Sequence, residues 1–416
     1  MSKYRSLRGM PDILPDESVV YRWIEEKARQ IFDIFEFHEI RTPVLEDTEV
    51  FTRSIGEDTD IVEKEMYTFV ERGGKTVSLR PEGTASIIRA YIEHGWHADK
   101  DIAKLFYIGP MFRGERPQKG RLRQFHQIGA EIIGGSDPYL DAELIVNLKY
   151  VLESLGVTKY QILLNCLGCA GDRDSYKNDL KKYLEDNRDR LCDNCKRRYG
   201  TNVLRVLDCK NPGCANLVKK GPLIKDHLCA ECGQDHEELK ELLKGLGIKF
   251  KIQPQLVRGL DYYTGTVFEV VHKALGAQDS IAAGGRYDRL SGQMGGPEAG
   301  ATGYAIGVER LILALGRRNI PSREAGVLVI AADEDSRREA FRTVIDLRAA
   351  GITCDMDFTG RSLKGCLRRA NREGRKRVVI IGEQERSKGE VVFKDMENGE
   401  QRCLSSDDLV AILGGR

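Results

Sequence analysis

Eight of the eleven cysteines fall between Cys166 and Cys232, in four close pairs. Cys166/Cys169, Cys192/Cys195 and Cys229/Cys232 are C-x-x-C, and Cys209/Cys214 is C-x4-C. The stretch that carries them, from Asn165 to about Leu246, is rich in lysine and poor in large apolar side chains. Metal would replace part of a core there. Cysteines paired at two to four residues are the ligand pattern of structural Zn2+, and four pairs would supply two sites of four thiolates each. Free thiols remain an alternative, as does redox or iron–sulfur chemistry. Spacing does not say which pair joins which.

The segment Met1-Ser2-Lys3-Tyr4-Arg5 opens on polar residues, and no apolar stretch follows that would make a signal peptide or a membrane span. A soluble, cytoplasmic protein with reduced thiols is expected, with no membrane partner. At 416 residues two or three domains are expected. Lys+Arg is 65 against Asp+Glu 64, a net charge of +1. Any nucleic-acid contact must therefore come from local basic patches rather than from the whole surface.

Val20, Ile24, Ala28, Ile31 and Phe35 recur at helical spacing, so an amphipathic helix is predicted to begin near Asp16. Ile40 to Val44, with Pro43 inside it, reads as an edge or interface strand. Strands are predicted at 76–79, 104–112 and 125–133, the last two flanking a polar loop from Gly114 to Gly120, and a helix from Asp141 to Leu155. Past the cysteines, strand patterns return at Phe250–Gln253, Thr266–Val271 and Ile281–Ala283, and an apolar helix is read from Gly303 to about Leu315. Residues 317–325 read as a linker. Val327–Ala331, Ile352–Met356 and Val378–Ile381 then alternate with helical Arg337–Ala350 and Arg361–Arg372, the pattern of a small α/β domain with a largely parallel or mixed sheet.

Two common phosphate sites are excluded. Gly74-Lys75-Thr76 has the tail of a Walker loop, but Phe69 stands where its first glycine belongs. No G-x-G-x-x-G follows a strand, which argues against a dinucleotide fold. The informative stretch is Phe112 to Gln127. Arg113, Arg116, Lys119, Arg121 and Arg123 lie within eleven residues, around a Gly/Pro loop between two apolar strands. Arg113, Arg121 and Arg123 would clamp a polyphosphate, since guanidinium matches phosphate geometry and keeps its charge. A solvated hairpin tip is the plainer alternative.

This stretch resembles motif 2 of class II aminoacyl-tRNA synthetases, in the version carried by histidyl-tRNA synthetases. Gly303-Tyr304-Ala305-Ile306-Gly307-Val308-Glu309-Arg310-Leu311 resembles motif 3, a strand-to-helix element ending in an arginine. Thr42-Pro43-Val44-Leu45-Glu46 resembles motif 1, the dimer-interface strand. Arg258-Gly259-Leu260-Asp261-Tyr262-Tyr263-Thr264-Gly265 and Ala283-Gly284-Gly285-Arg286-Tyr287-Asp288 resemble the two peptides peculiar to the histidine enzymes. The likeness extends from Arg8-Gly9-Met10-Pro11-Asp12-Ile13-Leu14-Pro15 to the terminal domain.

The resemblance implies an α+β catalytic domain with an antiparallel sheet and flanking helices at 1–165 and 250–320. It also implies a Cys-rich, partly helical insertion at 166–249 and an α/β anticodon-binding domain at 326–416. It implies a homodimer that joins L-histidine to tRNA(His) with ATP and Mg2+. By position, Arg113 would hold the α-phosphate and the amino-acid carboxylate, with Arg258 on the opposite side. Phe125 and Arg310 would sandwich adenine, and Arg121 and Arg310 would reach the γ-phosphate. Glu82, Thr84 and Gln127 would hold the α-ammonium. Glu131 and Tyr263 would read the imidazole, and Tyr262 and Tyr287 would shape the pocket.

Each residue has a plainer alternative: Glu82 as a helix cap, Tyr262-Tyr263 as packed aromatics, Gly284-Gly285 as a turn. His126 is expected to be structural. Many members of the family lack the cysteines, so Zn2+ would be structural rather than catalytic.

The same likeness brings the motif 2 loop, with Arg116, Gln118 and Lys119, to the tRNA acceptor end, and the terminal domain to the anticodon stem. There, eight basic residues and one acid lie between Arg361 and Arg377, and Lys364, Arg368, Arg372 and Lys376 recur every four residues. A solvated helix face is the alternative. Two rival functions share parts of the pattern: a regulatory subunit of an ATP phosphoribosyltransferase, and a stress-sensing domain that binds uncharged tRNA. The terminal domain and the Arg258 peptide speak against the first, and the set Arg113, Arg258 and Arg310 against the second.

Overall fold

The computed structural model describes residues 4–56, 59–99, 101–276, 279–316 and 324–415. The chain divides into two compact units, Met1–Pro321 and Ser322–Arg416. Most of the expected linker, 317–323, lies outside the described residues.

The first unit opens with α1 (Pro15–Ile34), which has proline in its first turn and Asp16 and Glu17 beside the positive helix end. It buries Val20, Ile24, Ala28 and Phe32. Next come β1 (His38–Glu39), β2 (Leu45–Asp47), α2 (Thr48–Ile55), β3 (Thr68–Val70), β4 (Thr76–Leu79), α3 (Thr84–Glu93) and α4 (Trp96–Asp99). A long hairpin, β5 (Ala103–Phe112) and β6 (Gln124–Ile133), is followed by α5 (Pro138–Ser154) and β7 (Tyr160–Cys166). The Cys-rich stretch holds α6 (Ala170–Glu185), α7 (Asp193–Gly200), α8 (Pro212–Val218) and α9 (Ala230–Gly245), joined by short turns. The chain then returns through β8 (Phe250–Ile252), β9 (Thr264–His272), β10 (Ser280–Arg286), α10 (Leu290–Gln293), β11 (Ala301–Gly307) and α11 (Val308–Leu315).

Eight strands make the main sheet, in the order β1-β5-β6-β11-β10-β9-β7-β8. Its centre is antiparallel, and both edge pairs, β1/β5 and β7/β8, are parallel. Alternation along β5 sends Phe106 to one core with α1, α5 and α9, and Leu105 and Tyr107 to a second. The second core also takes Tyr176, Leu180, Cys195, Val203, Val206 and Cys214. The Cys-rich stretch thus shares apolar packing with Tyr262, Tyr263 and Tyr287 rather than standing apart.

Two sequence expectations are corrected. Ile40–Val44 is not a strand, because Pro43 offers no N–H and the Thr42 carbonyl is taken by the Arg80 guanidinium at 2.9 Å. The pairing starts at Leu45, where β2 joins β4. The apolar run from Gly303 is a strand before it is a helix. Gly303 pairs with Glu131 on β6 and with Gly285 on β10, so its backbone is committed on both sides, and the helix begins only at Val308.

In the second unit, β12 (Val327–Ala331), α12 (Arg337–Ala349), β13 (Cys354–Met356), α13 (Leu363–Arg372) and β14 (Arg377–Ile381) match the expected alternation. They are followed by α14 (Glu383–Lys388), β15 (Glu390–Asp395), β16 (Gln401–Ser405) and α15 (Ser406–Gly414), which the sequence pattern does not predict. The sheet order is β13-β12-β14-β15-β16, parallel in its first three strands and antiparallel in the last two. Val327 and Val329 face α12, and Leu328 and Ile330 face α13. No helix among the described residues is long and apolar enough to cross a membrane.

Candidate functional site

A cleft of about 580 Å³ lies over the middle of the main sheet. From the expected set its wall contains Glu82, Thr84, Arg113, Arg121, Phe125, Gln127, Arg258, Tyr262, Tyr263 and Arg310. A concavity of similar volume at the β1/β5 edge, lined by Asp33, Glu36 and Lys104, holds none of them.

Glu131 lies just under the wall, 1% exposed. It accepts hydrogen bonds from Thr84 Oγ1 at 2.7 Å and from the Tyr287 hydroxyl. Burial pushes its carboxyl up to about 8, against the pull of those two bonds. Gly303 is the wall residue above it. A Cβ there would stand 1.5 Å from Glu131 Oε2, so the glycine leaves a window from the cleft to the carboxyl. Tyr107 is admitted the same way, because Cβ atoms on Gly83 and Gly129 would each come within 2.3 Å of its ring.

Glu82 caps α3, accepting from the backbone N–H groups of Thr84 at 2.8 Å and Ala85 at 2.9 Å. The plainer reading of Glu82 therefore describes its geometry, and the same carboxylate also lines the cleft. Its pKa is raised by burial.

Tyr262 and Tyr263 are buried with ring centroids 4.7 Å apart, and Tyr287 meets Tyr262 edge-on at 5.6 Å. Tyr287 does not reach the cleft and acts on it through Glu131. Arg258 is fixed by Glu269 of β9, Nη1 to Oε1 3.3 Å. Its buried Nε finds no acceptor among the described residues.

Arg113 Nε donates to the Pro81 carbonyl at 2.9 Å, and its guanidinium lies 5.3 Å from the Phe125 ring centroid. Arg121 pairs with Glu115 at 2.9 Å. Arg310 donates to the carbonyls of Gly120 at 3.3 Å and Ser280 at 2.6 Å, which ties α11 to the hairpin tip and to β10. Burial, with Arg121 nearby, lowers the Arg310 pKa.

Arg123 is not in the wall. Its backbone N–H donates to Gly9 at 2.7 Å and its Nε to the Glu115 carbonyl at 3.3 Å, so it anchors the N-terminal segment instead. His126 is held by Glu309 at 2.9 Å and by the Tyr21 ring, a structural arrangement. Several wall residues escape the sequence reading: Asp60, Glu65, Glu269 and Asp279, and, from the Cys-rich stretch, Arg198, Arg205, Asp208 and Lys210. No spacing rule links them to the arginine motifs.

Arg116, Gln118 and Lys119 are exposed on the hairpin tip, which reciprocal backbone bonds between Gln118 and Arg121 close. In the second unit Lys364, Arg368 and Arg372 are exposed on α13, with no carboxylate at ion-pair distance among the described residues. Of the rest of that basic run, Arg361, Arg369, Arg375 and Lys376 pair with carboxylates, and Arg377 is exposed with none at ion-pair distance among the described residues. Arg369 binds Asp357 and Glu373, each at 2.7 Å, and Arg375 binds Glu373 at 2.8 Å. Lys376 lies beyond the end of α13 and pairs with Glu397 at 3.4 Å, so it leaves the expected stripe.

The cysteines gather in two clusters. The ligand atoms of Cys192, Cys195, Cys209 and Cys214 lie within 4.8 Å of one another, and so do those of Cys169, Asp172, Cys229 and Cys232. Cys192 and Cys209 sulfurs are 3.8 Å apart. That is far beyond a disulfide and equal to the edge of a tetrahedron with metal–sulfur bonds of about 2.3 Å. Cys166 is outside both clusters, which corrects the all-cysteine reading of four pairs. It ends β7, buried, with its sulfur toward the Gly168 N–H at 3.4 Å. Asp172 takes the fourth place in the second cluster, and it also accepts from the backbone N–H groups of Cys169 at 3.2 Å and Cys229 at 3.0 Å.

Comparison with known proteins gives a consistent picture. The family model for histidyl-tRNA synthetase matches residues 9–311, and the model for an anticodon binding domain matches residues 326–416. The histidine–tRNA ligase of Halothermothrix orenii is 48% identical over 95% of both chains, and that of Syntrophotalea carbinolica is 45% identical over 98% of this chain and 97% of its own. Among solved structures, the apo histidyl-tRNA synthetase of S. aureus superposes with a TM-score of 0.83 at 33% identity, covering 99% of this chain and 100% of that one.

Proposed function

The chain belongs to the histidyl-tRNA synthetase family and is an ATP-dependent histidine–tRNA ligase, and from that premise we propose how its residues divide the work. One observation supports the division most: Arg113 and Arg258, both anchored by their own partners, line one cleft whose floor is the buried Glu131.

The histidine carboxylate attacks the α-phosphorus of ATP and pyrophosphate leaves. Charge gathers on the non-bridging oxygens, so catalysis is chiefly positioning and electrostatics. Arg113 and Arg258 act as catalytic residues on those oxygens from opposite sides. Arg310 and Phe125 hold adenine, which requires Arg113 to move off the Phe125 ring. Arg121 exchanges Glu115 for the γ-phosphate. Glu82, Thr84 and Gln127 hold the α-ammonium. Tyr263 and Glu131 read the imidazole through the Gly303 window, using carboxyl lone pairs that Thr84 and Tyr287 leave free. Tyr262 and Tyr287 fix that carboxyl and wall. Glu65, Glu115 and Glu269 in the wall, hard oxygen donors, would hold Mg2+ brought in with ATP, which would supply charge neutralisation on the phosphates.

We assign the catalytic domain to 1–165 and 250–320, the insertion to 166–249 and the anticodon-binding domain to 326–416. Arg116, Gln118 and Lys119 meet the acceptor end, and Lys364, Arg368 and Arg372 the anticodon stem. The exposed apolar residues Val44, Leu45, Phe69 and Val70, on and beside the three-stranded sheet β2-β4-β3, support a homodimer. The insertion binds two structural Zn2+ ions, one on Cys192, Cys195, Cys209 and Cys214, the other on Cys169, Asp172, Cys229 and Cys232. The donor sets fit the ion, since thiolates and a carboxylate are its usual ligands. Reduced thiols and a tRNA substrate agree with a cytoplasmic enzyme.

The test is histidine-dependent ATP–pyrophosphate exchange. Arg258→His is expected to keep histidine binding while exchange falls by on the order of 10²-fold. Unchanged exchange would remove Arg258 from the mechanism.

A further inference from the structure

The wall residues supplied by the Cys-rich stretch do not merely border the cleft. Arg205 lies in the short turn Val203–Val206, with only 13% of its side chain exposed. Its Nη1 donates to the Arg258 carbonyl at 3.2 Å and to Asp208 at 3.4 Å, and its Nη2 pairs with Asp60 at 3.7 Å. Arg198 closes the same knot, donating to the Arg205 carbonyl at 3.1 Å and to Asp60 at 3.3 Å. One guanidinium thus joins the insertion, the Asp60 segment and the backbone of the Arg258 peptide.

The approach to Gly259 is close as well, since a Cβ there would lie 3.4 Å from Arg205 Nη1. Asn202, in the same loop, donates to both oxygens of Asp261 at 2.9 Å, so the peptide is gripped at two points three residues apart.

What holds the gripping loop is the first cysteine cluster. Cys195 precedes Arg205 by ten residues and Cys209 follows it by four. Between them the backbone makes α7 to Gly200 and then only a single turn, with Val203 and Val206 as its buried apolar anchors. Tethering both ends to one ion leaves the loop little freedom, whereas without it only the two valines and the Arg198 and Arg205 ion pairs would oppose the loop's conformational entropy.

We propose that Arg205 is a positioning residue for adenylation. It sets the backbone of Arg258, and metal in the Cys192/Cys195/Cys209/Cys214 site sets Arg205. The inference rests on the reading of Arg258 and of the zinc sites given above. It makes the insertion part of the active site rather than a separate appendage.

Two substitutions on the full-length protein test it: Arg205→Ala, with Arg205→Lys beside it, and Cys209→Ser. Metal content, thermal unfolding, histidine binding and histidine-dependent exchange are measured for each. Arg205→Ala is expected to lower kcat for exchange by about 10-fold, with metal content unchanged. Arg205→Lys, which keeps the charge, is expected to recover part of the loss. Cys209→Ser is expected to carry one metal ion fewer and to lose as much exchange, and adding Arg205→Ala to it should cost no more than about twofold further. Wild-type exchange in Arg205→Ala overturns the proposal, and so do losses that multiply in the double variant. If Cys209→Ser does not fold, timed chelation of the wild-type protein replaces it, with released metal and exchange followed together; release without loss of exchange overturns the link. A wild-type protein free of metal rejects the zinc reading and with it the metal half of the proposal, while the Arg205 variants still decide the other half.

Discussion

Gly303→Ala puts the arrangement around Glu131 under direct strain. Its Cβ would stand 1.5 Å from Glu131 Oε2, 2.6 Å from Cδ and 2.9 Å from the Ala130 carbonyl. Real Cβ contacts stay above 3.0 Å, so the carboxyl oxygen must retreat by about 1.5 Å. The strand has little room to yield, because Gly303 is paired with Glu131 on one side and Gly285 on the other. Retreat breaks the Tyr287 contact and disturbs the 2.7 Å bond from Thr84. Overpacking costs about 1–3 kcal/mol and an orphaned buried polar group costs about 1–3 kcal/mol, so a loss of about 2–6 kcal/mol is expected.

Both tryptophans, Trp23 and Trp96, lie in the first unit, so urea unfolding followed by their fluorescence reports on this loss. KM for histidine is expected to rise by about 10–100-fold, the equivalent of one buried hydrogen bond. Glu131→Ala in the same chain relieves the clash: the double variant should be more stable than the sum of the two single losses allows, with KM still raised. If Gly303→Ala unfolds at the wild-type urea concentration and keeps its KM, the placement of Glu131 beneath Gly303 is wrong.

Three further outcomes are expected. The Glu131 carboxyl is raised from 4.5 to about 8 by burial, so the ligand-free fold favours its protonated form. That contribution is full below 4.5 and is lost as pH rises through about 8, so Glu131→Gln should flatten the decline in stability across that window; an unchanged slope would count against it. Replacing Lys364, Arg368 and Arg372 together by alanine should raise KM for tRNA and reduce the slope of log affinity against log salt by about 2–3, while exchange without tRNA is kept; an unaltered slope removes this face from the RNA contact. Asp172→Ala should release one of two metal ions and Cys166→Ser neither, as read by metal analysis; the opposite pattern would restore Cys166 as the ligand.

Some misreadings share a cause. Ile40–Val44 and Gly303–Leu315 look regular by local apolar pattern, but the Arg80 guanidinium takes the Thr42 carbonyl and two neighbouring strands claim Gly303. A partner eighteen or more residues away cannot be seen in a window of a dozen. The second unit reads well as far as Ile381 because its central strands are continuous apolar runs. The antiparallel pair β15/β16 escapes notice because its strands are only partly buried and carry charge. Arg123 and Lys376 group with their neighbours by spacing, yet the guanidinium of one is spent on the Glu115 carbonyl and the ammonium of the other on Glu397.

By itself the sequence determined the chemistry available: the arginines of the hairpin and of Gly303–Leu311, the tyrosine and glycine peptides, the paired cysteines and the terminal α/β unit. These follow from residue type and short spacing, which are local properties. Only the tertiary structure decided which groups meet. It put Glu131 behind a glycine window, exchanged Cys166 for Asp172, and brought Arg205 of the insertion against the backbone of Arg258. Each of these joins segments far apart in the chain. Such contacts are set by sheet register and by packing into shared cores, and neither is written in any one stretch of residues.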